Sequence, residues 1–163
     1  MIFWFFGFHG TGKDYCAKIL TKLKKASYIH IDDVLTNQDR EKLINGTFNV
    51  EDRINKLERA TKKIDVLLKT NTTVVAADSL PDHRSRDFLL EKFKDNIVFI
   101  RVKVYPEIHK KRFAERKNHF FTEDLLNDWV EKHWQEPIKI PHLILNNNTE
   151  GEKSVGHKLK KIL

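Results

Sequence analysis

Met1-Ile2-Phe3-Trp4-Phe5-Phe6-Gly7-Phe8-His9-Gly10-Thr11-Gly12-Lys13-Asp14 decides the fold. Its first six residues form an apolar run of strand length, and such a run bounded by glycine reads as a buried strand. The next seven satisfy the pattern G-x-x-x-x-G-K in full. The glycines let the chain turn back tightly and bring backbone N–H groups close to phosphate oxygens. Lys13 adds a point charge aimed at the β- and γ-phosphates, and the following helix offers its positive N-terminal end. Strand, loop and helix in this order are the context the motif requires, which separates it from a chance glycine turn. The segment is therefore read as binding a nucleoside triphosphate through Gly7, His9, Gly10, Thr11, Gly12, Lys13, Asp14 and Tyr15. One detail departs from the pattern: the hydroxyl residue that normally follows the lysine and ligates Mg²⁺ is replaced by Asp14. A carboxylate is also a hard oxygen ligand and suits the first turn of a helix, but it brings negative charge near the phosphates.

Outward from this stretch, apolar runs of strand length alternate with helical patterns. Strands are expected at 2–6, 28–31, 73–77, 97–104 and 142–145. Helices are expected at 14–25, 50–69, 85–93, 106–117 and 122–134, with a lysine-rich one closing the chain. Within 50–69, Ile54, Leu57, Ile64, Leu67 and Leu68 recur at helical spacing, and Pro106 opens its helix in the favoured first-turn place. The segment before residue 50 reads as a polar connection. The alternation predicts an α/β fold in three layers, a five-stranded parallel sheet flanked by helices, in one domain spanning 1–163. In open parallel sheets, ligands sit beyond the carboxyl ends of the strands. The glycine loop, Asp32-Asp33 after the second strand and Asp78 after the third thus converge on one crevice.

Composition narrows the classes. A hydrophobic content of 40% with 11 Phe supports a packed core. The single cysteine, Cys16, cannot form an internal disulfide and reads as a buried thiol in a reducing compartment, so a cytoplasmic location is expected. The N-terminal apolar run is too short to span a membrane and has no basic leader, so neither a membrane partner nor a signal peptide is expected. The net charge of +7 invites a nucleic-acid partner. The lysines, however, are scattered over nearly every helix, as on a solvated surface around an anionic small-molecule site. No nucleic-acid partner is expected, and the chain reads as a monomer or homodimer.

Phosphoryl transfer needs a phosphate cradle, a metal, an oriented acceptor and cations on the migrating group. Lys13 serves the cradle and the transferred phosphoryl. Asp33 or Asp32 orients or deprotonates an acceptor hydroxyl; the alternative for this pair is a helix cap. Asp78 holds Mg²⁺ through water alongside Asp14, or is a turn residue with Ser79 and Pro81. Arg53, at the mouth of the long helix, clamps an anionic group of the acceptor, or pairs with Glu51 or Asp52 at the surface. His83 and Arg86 add to such a clamp. Arg112 and Arg116, four apart, share one helix face, and Lys117 and His119 follow. A cationic element of this kind at about 112–122 reads as a short lid that closes over the phosphates; a solvated basic helix is the alternative. Trp4 is expected in the core, and Trp129 and Trp134 on the helix after the lid. His30, His109, His133, His142 and His157 show no metal-ligand spacing and are assigned no chemistry.

These residues resemble a family. Arg112…Arg116-Lys117-x-His119-Phe120-Phe121, then Leu125-Leu126 and Gln135-Glu136-Pro137, resembles the lid and following helix of gluconate kinases. Gly46, Asn49 and Glu51-Asp52-Arg53 are similar to the substrate-side segment of gluconate kinases and equally of adenylylsulfate kinases. Ser79-Leu80…His83…Arg86-Asp87 is similar to the segment after the third strand in gluconate kinases, and its Arg86-Asp87 end also resembles adenylylsulfate kinases. The resemblance spans most of the chain and implies a P-loop kinase fold with ATP and Mg²⁺. Three departures stand out. Asp14 replaces Ser or Thr, as in deoxynucleoside monophosphate and phosphomevalonate kinases. Ile31-Asp32-Asp33 stands where these families carry Asp-Gly-Asp. Lys56 stands where gluconate kinases carry Trp. The expected reaction is transfer of the γ-phosphoryl group of ATP to a hydroxyl of a small anionic acceptor, a gluconate-like sugar acid. A nucleotide-type acceptor, or nucleotide binding without transfer, is the alternative.

Overall fold

The computed structural model describes residues 1–115, 137–148 and 151–163. The elements run β1 (Ile2–Phe6), α1 (Lys13–Lys24), β2 (Ser27–His30), a 3₁₀ turn (Ile31–Val34), α2 (Asn37–Ile44), α3 (Val50–Thr70), β3 (Val74–Ala77), α4 (His83–Phe93), β4 (Ile97–Lys103), α5 (Pro106–Ala114), β5 (Leu143–Asn146) and α6 (Glu152–Ile162). The five strands form one parallel sheet in the order β2-β3-β1-β4-β5.

β1 is central, and all five of its residues are buried. A parallel strand covered on both faces has no solvent side to make polar, which is why this run is apolar throughout. Its side chains still alternate. Ile2, Trp4 and Phe6 pack with Leu57, Ala60 and Ile64 of α3 and Leu89 of α4. Phe3 and Phe5 face the other way, onto Cys16, Ala17 and Leu20 of α1 and Val155 and Leu159 of α6. Two cores on either side of one sheet are the three layers expected from the alternation. Each large side chain so buried contributes roughly 1.5–3 kcal/mol. Among the described residues, no helix is long and apolar enough to cross a membrane.

The sheet order places the site. The chain leaves β1 for the β2–β3 side, then crosses back to β4 and β5. The reversal leaves a crevice beyond the carboxyl ends of β1 and β3. Phe5 pairs with Ala77 in register, and the Asp78 N–H donates to the Phe5 carbonyl at 3.0 Å. Asp78 is thereby locked beside the root of the glycine loop.

Three local readings change. The stretch read as a polar connection contains α2, held by a capping box in which Thr36 and Asp39 bond each other's backbone N–H. Its only aliphatic pair, Leu43-Ile44, is adjacent in sequence and carries no helical period, so the cap was the sole usable signal. β2 ends at His30, because Ile31–Val34 turns as a 3₁₀ helix. β5 starts at Leu143 rather than at 142. The lid beyond residue 115 and the helix expected at 122–134, with Trp129 and Trp134, lie outside the described residues.

Candidate active site

The loop after β1 is shaped by glycine. Gly7 has φ +148°, and a Cβ there would stand 2.5 Å from the Val102 carbonyl of β4, so no other residue lets the chain leave the sheet at this point. Gly12, at φ +80°, is the N-cap of α1, and no side chain caps the helix. The Lys13, Asp14 and Tyr15 N–H groups precede the first i→i−4 bond, which Cys16 donates to the Gly12 carbonyl at 3.0 Å. Orphan donors at an uncapped helix start form an anion site. Thr11 closes the loop on itself, its hydroxyl donating to the Phe8 carbonyl at 2.9 Å. Tyr15 is 43% exposed.

Side chains from β5 and α5 brace the loop. Asn147, buried just past β5, donates from Nδ2 to the Thr11 carbonyl at 2.8 Å, while its own N–H donates to the Lys103 carbonyl at 2.8 Å. Arg112 of α5 donates to the Asn147 carbonyl at 2.9 Å and to the Asn148 carbonyl. The same guanidinium lies 3.9 Å from where a Cβ on Gly12 would stand, so it borders the phosphate loop. His109 donates through Nε2 to the His9 carbonyl and lies against Gly10. Arg116, Lys117 and His119 fall outside the described residues.

Asp14 is held on two sides. The Tyr28 hydroxyl donates to its Oδ1 at 3.0 Å, and His30 Nε2 lies 3.3 Å from the same oxygen. The Lys13 ammonium is 3.9 Å from Oδ2. Burial opposes ionisation of Asp14, but the His30 bond, the Lys13 charge and the Tyr28 bond override it and hold the carboxyl well below the usual carboxylate range. The Asp14 bond in turn pushes His30 up to about 8 against its partial burial, with Asp32 and Asp33 adding to the effect. Burial, followed by the Asp14 charge and bond, pushes the Tyr28 hydroxyl up.

Opposite the loop, Asp32 and Asp33 stand on the 3₁₀ turn with side chains 55% and 71% exposed. Between this turn and β3 lies Lys56 of α3. Its ammonium is 3.0 Å from Asp78 Oδ1 and 3.6 Å from Asp32 Oδ1, with only 7% of the side chain exposed. Asp78 is buried, and its Oδ2 accepts no hydrogen bond among the described residues. Burial opposes its ionisation; the charge and bond of Lys56, the Ser79 N–H and the Lys13 charge hold its carboxyl below the ordinary value.

The remaining acceptor-side candidates are engaged elsewhere. Arg53 is 3% exposed, and its Nη1 pairs with Asp82 Oδ2 at 2.5 Å. Asp82 also caps α4, accepting from the Ser85 N–H at 2.8 Å and the Ser85 hydroxyl at 3.0 Å. Arg86, 1% exposed, donates to the Leu80 and Pro81 carbonyls at 3.3 and 3.2 Å. These two arginines stitch the 79–82 turn, where Leu80 adopts φ +45°. His83 starts α4 and is exposed. Arg53's partner is therefore neither Glu51 nor Asp52. Glu51 pairs with Arg84 at 2.6 Å and Asp52 with Lys42 at 2.5 Å.

The structure thus gathers Lys13, Asp14, Asp32, Asp33, Asp78 and Arg112 around one crevice, and directs Arg53 and Arg86 inward. Sequence reading missed Tyr28, His30, Lys56, Asn147 and His109. The one available signal was the Tyr28–His30 spacing, since residues i and i+2 of a strand share a face. Among the described residues, no group of three or more His, Cys, Asp or Glu side chains is arranged to hold a metal by itself. A cation here would draw its other ligands from phosphate oxygens and water, the usual mode for Mg²⁺.

Comparison with known proteins agrees with this geometry. The adenylylsulphate kinase family profile matches residues 1–120. No curated protein sequence matches significantly. Among solved structures, a sugar kinase from Janibacter sp. HTCC2649 superposes with a TM-score of 0.79 at 16% identity, covering 99% of this chain and 92% of the other. A gluconokinase from Sinorhizobium meliloti 1021 gives 0.75 at 17%, covering 96% and 87%. The APS kinase CysC of Mycobacterium tuberculosis, in complex with AMPPNP and APS, gives 0.67 at 18%, covering 99% and 95%. A family profile that runs from β1 through the phosphate loop, the Asp32-Asp33 turn and Asp78 to the end of α5 settles the class: the chain belongs to the adenylylsulphate kinase family, and it is a P-loop phosphotransferase acting on a small molecule.

Proposed function

We propose that the protein transfers the γ-phosphoryl group of ATP to a hydroxyl of a small anionic polyhydroxy acceptor, a sugar acid of the gluconate kind. The observation that carries this reading is the wall facing the loop, with two solvent-facing carboxylates, Asp32 and Asp33, beside the Lys56 ammonium. Carboxylates accept hydrogen bonds from several hydroxyls at once, and an ammonium donates to a hydroxyl or a carboxylate. The likeness in fold to the gluconokinase supports the same class.

In this reading the uncapped start of α1 and Lys13 hold the phosphates. Asp33 or Asp32 takes the proton of the acceptor hydroxyl. The hydroxyl oxygen forms a bond to the γ-phosphorus while the bond to the β,γ-bridging oxygen breaks and ADP leaves. Arg112, with Arg116 and Lys117 of the lid, supplies positive charge to the migrating group. The donor set fits Mg²⁺: Asp14 Oδ2, 3.9 Å from the Lys13 ammonium, and Asp78 Oδ2, which accepts no hydrogen bond among the described residues, are hard oxygens. When bound, Mg²⁺ supplies charge neutralisation on the β- and γ-phosphates. The buried thiol of Cys16 fits a reducing compartment such as the cytoplasm.

A second reading, a nucleotide-type acceptor such as adenylylsulfate, is favoured by the family profile itself. ADP release with ATP·Mg²⁺ across gluconate, related sugar acids, shikimate, adenylylsulfate and nucleoside monophosphates separates the two. Stimulation by a sugar acid is expected. Stimulation by adenylylsulfate or a nucleoside monophosphate alone would replace the first reading with the second, and stimulation by none would refute both.

A further inference from the structure

We infer that Tyr28 and His30 are positioning residues that pin the Asp14 carboxylate, keeping it off Lys13 and presenting its second oxygen as a divalent-cation ligand beside the phosphates. The inference rests on the cation and nucleotide assignments of the proposed function, but not on the acceptor.

The argument starts from the length of the side chain. An aspartate is longer than the serine or threonine usual after the loop lysine, and it is charged. Left to itself beside an ammonium, such a carboxylate would close onto it as a hydrogen-bonded ion pair. Lys13 would then spend its charge on Asp14 rather than on a phosphate. The structure shows a different arrangement. Both groups converge on Oδ1, the Tyr28 hydroxyl donating to it at 3.0 Å and His30 Nε2 lying 3.3 Å from it. Oδ2 is left facing Lys13 at 3.9 Å, beyond hydrogen-bond reach. It accepts no hydrogen bond among the described residues.

The clamp is itself anchored. Tyr28 and His30 lie on one face of β2, paired in register with Val75 and Ala77 of β3. His30 Nδ1 lies 3.5 Å from Asp33 Oδ1. The ring thus lies between the carboxylate at the phosphate loop and one of the acceptor-side carboxylates. This is the arrangement by which outer groups orient a metal-ligating carboxylate elsewhere, where removing such a partner weakens metal binding by about 10- to 100-fold. Asp14 is then a working substitute for the hydroxyl, built with its own support, rather than a lesion in the loop.

The test is Mn²⁺ affinity of the full-length protein in the presence of saturating ADP, read by electron paramagnetic resonance of free Mn²⁺, with no acceptor and no turnover. The variants are Asp14→Asn, Tyr28→Phe, His30→Gln, the Tyr28→Phe/His30→Gln double, Asp14→Ser, and Asp14→Ser carrying both outer changes. ADP affinity without metal and a thermal melt report on folding in each. Asp14→Asn and the outer double variant should each weaken Mn²⁺ binding about tenfold or more, with metal-free ADP affinity held within about twofold in the outer double variant. In the Asp14→Ser background the two outer changes should add nothing, because the hydroxyl does not need the clamp. A purely structural role for Tyr28 and His30 would not produce that background dependence. Unchanged Mn²⁺ affinity in Asp14→Asn, or in the folded outer double variant, would overturn the inference while leaving the kinase reading intact. An equal loss from the outer changes in the serine background would also overturn it. A wild-type protein that binds ADP neither with nor without Mn²⁺ would overturn the nucleotide assignment and the inference together.

Discussion

Replacing Arg53 by methionine should destabilise the fold far more than it weakens any acceptor contact. Arg53 is 3% exposed, and its guanidinium meets Asp82 at 2.5 Å under the turn that leads into α4. Removing one partner of a buried pair costs about 3–5 kcal/mol, because the charge left behind has lost its counter-ion. Asp82 retains the Ser85 N–H and hydroxyl, so the lower end, about 3 kcal/mol, is the expected loss. For a chain of 163 residues this corresponds to a fall in Tm of about 6–12 °C. The assay is thermal or urea unfolding of Arg53→Met, Asp82→Asn and the double variant. The double variant should lie well above the sum of the singles, since removing both charges leaves neither stranded. The activity arm uses Arg53→Lys with the best acceptor of the panel. If Arg53 acts on the acceptor, Arg53→Lys raises KM and Arg53→Met leaves Tm within about 2 °C of wild type. That pair of results would refute the structural role argued here.

Gly12→Ala should abolish tight nucleotide binding, because φ is +80° there and the new methyl would overlap the Asn147 amide that braces Thr11; ADP affinity by calorimetry should fall more than about tenfold, a loss of about 1.4 kcal/mol or more. Lys56→Met should destabilise by about 3–5 kcal/mol by stranding Asp78, whose Oδ2 already lacks a hydrogen bond among the described residues. Adding Asp78→Asn should recover most of that loss in urea unfolding. A stability profile of the metal- and nucleotide-free protein should report His30, which faces Asp14, Asp33, Asp32 and Tyr28. Its folded value, about 8, lies above the ordinary 6.5, so its contribution is complete below pH about 6.5 and is lost as pH rises through about 8. Asp14 is depressed instead, so its contribution persists throughout this window and fades only in strong acid. The His30 side chain is 41% exposed, and after allowance for solvent screening the loss is about 1 kcal/mol. His30→Gln should flatten the profile between pH about 6.5 and about 8.5, and an unchanged slope would contradict the assignment.

The extent of legibility from sequence followed from range. β1, the glycine loop and α1 are contiguous, and each needs only its own residues: an unbroken apolar run, glycines where φ must be positive, and an uncapped helix start. The parallel sheet followed from alternation, and the placing of Asp32, Asp33 and Asp78 from the rule that strand ends share an edge. Long periodic helices such as α3 were legible, whereas α2, with no apolar period, was not.

What a charged side chain does at its strand or helix end was decided only by tertiary structure. Arg53 and Arg86 carry the residue type of an anion clamp, yet the 79–82 turn supplies Asp82 and two carbonyls that they satisfy from within. Asp14 reads as an anomaly until β2 brings Tyr28 and His30 onto it, and Lys56 reads only as a departure from the gluconate-kinase pattern until α3 sets it between Asp78 and Asp32. The physical reason is that backbone shape depends on near neighbours, while the energy of a charge depends on whichever partner and dielectric the whole fold places around it.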